Sequence, residues 1–408
     1  MSVPLDRLYN FLDDVCNHHD VVIYGFSPHG SKKISNLVML KDYEKTVLEK
    51  QKKFVIFHDQ EPLNFELYNN INIIDELLDH SLRYVELKEI LTDELYEKYR
   101  RLTERSIEKF NLKLALNGRL YEIPVILVHS EQRSSNLQRY QSSDFIPVYW
   151  WCHALLARDW FRYAEVDPTL EDRQTKKDFL IYNRAWSGTR EYRLKFAEML
   201  IENNLDNVCH MGFNPNDNGN YKNHQFANQA FQINRHDLEN YFHLNTSPSA
   251  SSADYVGSDY RSTEIEVVLE TLFDDDRLQL TEKILRPIAC GQPFMLVSTH
   301  GSLSYLRDYG FETFGNLINE HYDTIVDPAK RLEAVINEMK RIANLSGQEK
   351  SKLYADMRII AQRNKELFFS QQWQQQIVDE YKRNFSDAYH QLGKRFDDFK
   401  AFENLILS

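Results

Sequence analysis

Four groups of polar residues in this chain each sit at or beyond the end of a predicted strand, and each has residue types suited to acid–base or phosphate chemistry. His58-Asp59-Gln60-Glu61-Pro62 places an imidazole and two carboxylates side by side, which suits a general base tuned by its neighbours. The same residues also read as a polar turn in which Asp59 caps a helix. Asn183-Arg184, with Arg190 and Arg193 downstream, suits a diphosphate, because a planar guanidinium binds two oxygens at once. Arginines on a solvated helix face are the other reading. Glu270 ends a third strand, and Thr281-Glu282-Lys283 opens the helix after it, so a carboxylate and an ammonium project beside unpaired backbone N–H groups. On its own that triad is also an ordinary capped first turn. Asp274-Asp275-Asp276 has the oxygens for Mg²⁺, but no further ligands are recognisable nearby and it reads as a solvated loop. His153 and His300 stand alone and read as structural.

These groups need elements to position them. Residues 20–25, 53–58 and 124–129 are β-branched or aromatic runs, and 83–110 is charged with helical periodicity. A second β/α series begins at 179–182, continues through a helix at 190–201 and a strand at 208–213, and crosses a polar irregular stretch at 214–237. The segment 262–299 then reads as strand, acidic loop, helix, Gly turn and strand, and 329–345 as an amphipathic helix. After residue 350 the chain turns helical, with Phe368, Phe369, Trp373, Ile377 and Tyr381 on one stripe. Alternating strands and helices predict an α/β fold with parallel sheets. The polar, Pro-containing stretch before 178 divides the chain into a first domain at 1–166, a linker at 167–177, a second domain at 178–350 and C-terminal helices at 351–408 that pack back across both. Two open sheets facing one another place a ligand at the carboxyl ends of their strands.

Length and composition agree with this division. A chain of 408 residues exceeds what one core serves, and 42% hydrophobic with 13% aromatic residues is globular composition. A net charge of −12 disfavours non-specific attraction to nucleic acid or anionic membrane, although basic runs occur at Ser31-Lys32-Lys33 and Lys98-Tyr99-Arg100-Arg101. The four cysteines, Cys16, Cys152, Cys209 and Cys290, form no CxxC pair, so neither zinc nor disulfides are expected. The early acids of MSVPLDRLYNFLDDVCNHHD exclude an ordinary secretory signal, and no apolar window has membrane-spanning length. A cytoplasmic protein without membrane contact is expected. The P-loop, the GxGxxG fingerprint, GxSxG and HExxH are all missing, which weakens ATPase, dehydrogenase, hydrolase and zincin readings.

Taken in order, the polar groups resemble the α1,3-fucosyltransferase family, inverting enzymes built of two Rossmann-like domains in the GT-B arrangement. The resemblance rests on Leu269-Glu270-Thr271, the loop 272–279, Leu280-Thr281-Glu282-Lys283 and Gly291-Gln292-Pro293-Phe294-Met295-Leu296. Arg193, Phe196 and Leu200 after Tyr182-Asn183 extend it, and 58–65 is similar to the family's segment with the base. Thr271 stands where the family has Asn, and Gln279 where it has Tyr. The layout also looks like glycosyltransferases of large tailed phages, through HDQEPL, YNRAWSGTREYR and 305–311.

These resemblances imply a nucleotide-sugar donor, UDP-sugar ahead of GDP-sugar, bound by Asn183, Arg184, Arg193, Glu270, Glu282 and Lys283. Arg193 and Lys283 would neutralise the departing diphosphate, Glu282 would hold ribose hydroxyls, and Glu270 would orient the donor or stabilise charge on the sugar. Glu61, or failing it Asp59 or His58, would take the acceptor proton, with no metal. The acceptor expected from the phage enzymes is 5-hydroxymethylcytosine in DNA, receiving arabinose or glucose in the host cytoplasm. A glycan or lipid-linked saccharide is the alternative, and a non-catalytic nucleotide-binding or virion-associated module is the alternative of another class.

Overall fold

The computed structural model describes residues 21–24, 54–58, 125–134, 145–184, 191–214, 231–235, 237–241, 254–274 and 276–391. Among them are two four-stranded sheets, both wholly parallel. The first runs in sequence order through β1 (Val21–Tyr24), β2 (Phe54–His58), β3 (Val125–His129) and β4 (Phe145–Tyr149). β4 is not legible as a strand in the sequence, because Pro147 interrupts it. The helical reading of 83–110 and most of the polar stretch 214–237, namely 215–230 and 236, lie outside the described residues.

Helix α1 (Cys152–Trp160) follows β4. The second sheet is made of β5 (Lys177–Arg184), β6 (Cys209–Asn214), β7 (Thr263–Leu269) and β8 (Phe294–Val297), in the order β6-β5-β7-β8. Between its strands run α2 (Tyr192–Glu202), α3 (Gly257–Ser262) and α4 (Glu282–Cys290). Helices α5 (Ser302–Asp308), α6 (Pro328–Ala343), α7 (Gly347–Phe369) and α8 (Gln371–Gln391) complete the described chain. α2 packs with α6, whereas α4 packs with α1 and α7 and against β7 and β8 of the second sheet. This is an α/β molecule built on parallel sheets.

The segment expected as a linker is tied into the second sheet's surroundings. Asp167 caps a short 3₁₀ turn at Pro168–Leu170, the amides of Gln174 and Lys176 donate to Arg261 and Ser262 carbonyls, and β5 already begins at Lys177. Arg173 reinforces the tie by donating to the Tyr260 and Thr263 carbonyls at 2.9 and 3.2 Å. Polar composition marks this stretch as surface, and several of its amides and the Arg173 guanidinium bond to protein groups.

β7 is buried along its whole length, yet carries Glu264 and Glu266 on one face. Buried carboxylates persist only when paired. Arg358 holds Glu264 at 2.7 Å, and Arg286 of α4 holds Glu266 at 2.6 Å with the Tyr260 hydroxyl on the other oxygen. α4 thus docks by one buried ion pair and an apolar face of Ile284, Leu285, Ile288 and Ala289. It stops at Gly291, whose φ of 64° is left-handed and suits a residue without Cβ.

Candidate functional site

The strand order of the second sheet reverses at one place among the described strands. From β5 the chain first adds β6 on one side, then returns to add β7 and β8 on the other. The loops leaving the carboxyl ends of β5 and β7 therefore diverge, and the crevice between them is where open α/β sheets bind ligands. Asn183-Arg184 ends β5, Glu270-Thr271 follows β7, and Thr281-Glu282-Lys283 opens α4 beside that edge.

Glu270 is fully buried, and its carboxylate bonds to groups of the fold itself. One carboxylate oxygen accepts the Thr281 amide at 3.1 Å, and the other accepts the Thr281 hydroxyl at 2.7 Å and the Thr271 amide at 3.1 Å. It staples the end of β7 to the start of α4. Thr281 is the N-cap of α4, its hydroxyl accepting the Lys283 amide at 3.4 Å. The Lys283 ammonium lies 3.1 Å from the Thr281 hydroxyl, 3.5 Å from the Thr271 hydroxyl and 3.1 Å from a Glu282 oxygen. The Lys283 side chain keeps 23% of its surface and Glu282 keeps 12%, so both charges retain access to solvent.

His153, from the first turn of α1, brings Nε2 to 3.9 Å from the other Glu282 oxygen. Burial alone would raise the Glu282 carboxyl. The Lys283 and His153 charges and the hydrogen bonds from its own amide and Lys283 outweigh burial and hold it at about 2. A carboxylate that stays ionised beside an ammonium and two hydroxyls can accept from ribose hydroxyls while the ammonium meets phosphate oxygens.

The remaining expected residues fall in three places. Arg193 is buried and donates to the main-chain carbonyls of Leu269 and Glu270 at 2.5 and 3.0 Å, while Tyr192 also donates to the Glu270 carbonyl. Its guanidinium braces the carboxyl end of β7 from the α2 side. Asn183 is buried as well and donates to the Arg193 carbonyl at 2.9 Å, with its Oδ1 unpartnered. Arg184 and His58 are described only as the last residues of β5 and β2, and Asp59, Glu61 and Arg190 lie outside the described residues. No group of three or more metal-ligating side chains occurs among the described residues. No described helix is long and apolar enough to cross a membrane.

Sequence reasoning missed the first sheet's contribution. The segment after β3 runs against the loop between β7 and α4, forming an antiparallel bridge at Arg133 and Leu278. His129 at the end of β3 is buried, which lowers its imidazole to about 4, and its Nδ1 accepts the Glu131 amide at 3.3 Å. Gln279, at one of the two positions departing from the fucosyltransferase pattern, donates to the Ser130 hydroxyl at 2.9 Å. Its place is in the contact between the two sheets' loops. The available signal was position: Ser130 to Arg133 directly follow a strand that was already legible.

Comparison with protein-family models, with curated proteins and with solved structures finds no match to this chain.

Proposed function

We propose that this protein is a nucleotide-sugar-dependent glycosyltransferase, with two Rossmann-like units in a GT-B arrangement and the donor held by the second. One observation carries the reading. The winding of the second sheet reverses between β5 and β7, and at that crevice stand a partly exposed Lys283 ammonium, the Thr271 and Thr281 hydroxyls and an ionised Glu282. Phosphate needs a cation and donors; ribose needs an acceptor; the cluster supplies both.

In this reading Lys283 takes the charge of the departing diphosphate and Glu282 the ribose hydroxyls. Glu270 and Arg193 hold the strand end and helix start on which both depend, the first through its carboxylate and the second through main-chain carbonyls. The base that deprotonates the acceptor is assigned to Glu61, then Asp59 or His58, on the resemblance of 58–65. The stabilisation of developing negative charge by fixed donors is the main catalytic device, with positioning by the crevice walls.

Calorimetric titration with UDP, GDP and their sugars tests the donor site. Wild type should bind at least one of them, and Lys283→Ala should weaken that binding roughly tenfold or more, the worth of a charge-assisted contact. Equal affinity in the variant would remove Lys283 from the site, and no binding in wild type would end the reading. The first acceptor to try is hydroxymethylcytosine-containing DNA, followed by oligosaccharides, with release of free nucleoside diphosphate as readout. Binding without release on either acceptor would favour a non-catalytic nucleotide module.

A further inference from the structure

The loop that leads into the donor site is shaped by residues of the other sheet. Between Glu270 and Thr281 the chain crosses the carboxyl edge of the second sheet, and five consecutive residues at its far end each meet a partner from the first-sheet segments. The Asp276 carbonyl accepts from Arg133 Nε at 2.9 Å. Arg277 pairs with buried Glu131 at 3.8 Å. The Leu278 amide donates to the Arg133 carbonyl at 2.8 Å, and its carbonyl accepts the Gln132 amide at 2.9 Å. Gln279 donates to the Ser130 hydroxyl at 2.9 Å, and the Leu280 carbonyl accepts Trp151 Nε1 at 2.9 Å. The next residue is Thr281, the cap on which Lys283 rests.

Arg133 has a special position in this set. Its backbone makes the bridge to Leu278 while its guanidinium spans two carbonyls, those of Asp276 and of His300 beyond β8, the latter at 2.8 Å. A planar fork can hold two acceptors in a fixed relation; an ammonium on a flexible stem cannot. It is exposed, so its loss opens no core.

We propose that Arg133 is a positioning residue of the nucleotide site. It fixes the loop 276–280 against the edge of the second sheet and so sets where Thr281, Glu282 and Lys283 stand. Docking of the two sheets' loops and binding of the nucleotide are then thermodynamically coupled, each favouring the other. This deepens the nucleotide reading and rests on it for its affinity arm alone.

The test is hydrogen exchange on the full chain, with nucleotide titration alongside. In Arg133→Ala the amides of 277–282 should exchange about tenfold faster or more, because a loop released from its partners opens locally. The amides of Glu266 and Glu270, bonded to the Pro293 and Val297 carbonyls, should keep their wild-type rates. Affinity for UDP or GDP should fall roughly tenfold with the loop. Arg133→Lys should resemble Arg133→Ala in both measurements. Ser130→Ala, which removes the hydroxyl that Gln279 donates to, should reproduce the faster exchange on a second route.

Unchanged exchange in Arg133→Ala would overturn the proposal, as would uniform acceleration through β7 and β8, the mark of lost global stability. Arg133→Lys with restored affinity and a still-fast loop would also overturn it, since the charge would then act on the ligand directly. Should wild type bind no nucleotide, the glycosyltransferase reading falls, and the exchange rates alone decide whether Arg133 braces the loop.

Discussion

Glu282 shows how a single side chain is set by its surroundings rather than by its type. Its carboxyl is held at about 2 against an ordinary 4.5, because Lys283 and His153 outweigh the burial that would raise it. The folded state therefore binds a proton less readily than the unfolded chain. Stability from this group is fully present above pH 4.5 and is lost as pH falls toward 2. A carboxyl held that far down contributes roughly 3 kcal/mol. Urea unfolding at pH 6 and at pH 3 samples about 2 kcal/mol of it, since pH 3 lies between the two pKa values: Glu282→Gln should lose less stability between the two than wild type does. The same substitution removes the acceptor for ribose hydroxyls, so weaker nucleotide binding should accompany the flatter pH profile.

At the scale of the element, α4 is where local signals and buried charge meet. Thr281 starts it, Gly291 ends it, and Arg286 in its middle neutralises Glu266 on the fully buried β7. The Arg286 guanidinium also lies over the Tyr182 ring, 4.2 Å from its centroid, and donates to the Tyr260 hydroxyl at 3.0 Å. Arg286→Met keeps the volume and leaves Glu266 without a cation, which should cost about 3–5 kcal/mol in unfolding free energy. Adding Glu266→Gln should return a large part of that loss, since the expense is the uncompensated charge and not the missing contact. Additive losses in the double variant would contradict this account.

At the scale of the molecule, an aromatic and hydroxyl cluster joins the first sheet, α5 and α8. Tyr149 at the end of β4 meets the Tyr305 and Tyr309 hydroxyls at 2.5 and 2.8 Å, and Tyr309 donates onward to Glu380 at 2.7 Å. Burial lifts the Glu380 carboxyl above its usual range, although Tyr309 and the Trp151 amide both donate to it. Trp151 packs edge-on to Tyr305 at 5.0 Å and to Trp373 at 6.2 Å, and Asn384 closes the ring on the Tyr149 carbonyl at 2.7 Å. Trp373→Ala empties the middle of this junction and should destabilise the chain by about 3–5 kcal/mol, read from denaturant midpoints. Its nucleotide affinity should fall less than that of Arg133→Ala where the protein remains folded, because Trp373 reaches the loop 276–280 only through Trp151.

Much of the frame was written in short stretches of sequence. β2, β3, β7 and β8 lie within a residue or two of where β-branched runs place them, and the strand–loop–helix of 262–299 follows from an N-cap, a 3.6-residue apolar repeat and a glycine, all signals within a few residues of one another. α2 and α6 were equally legible from their periodicity. What the sequence alone determined, then, is a parallel α/β chain with Thr281, Glu282 and Lys283 at the start of a helix. Only the tertiary structure decided what meets them. Ser130 reaches Gln279 across 149 positions, Arg133 reaches Asp276 across 143, and Trp151 reaches Leu280 across 129. It also decided that Arg193 turns to main-chain carbonyls and that a lone histidine, His153, stands beside Glu282. Hydrophobic period and capping act between neighbours in the chain, whereas the partner of a buried polar group is chosen by which loops the packed sheets bring together, and no local pattern encodes that choice.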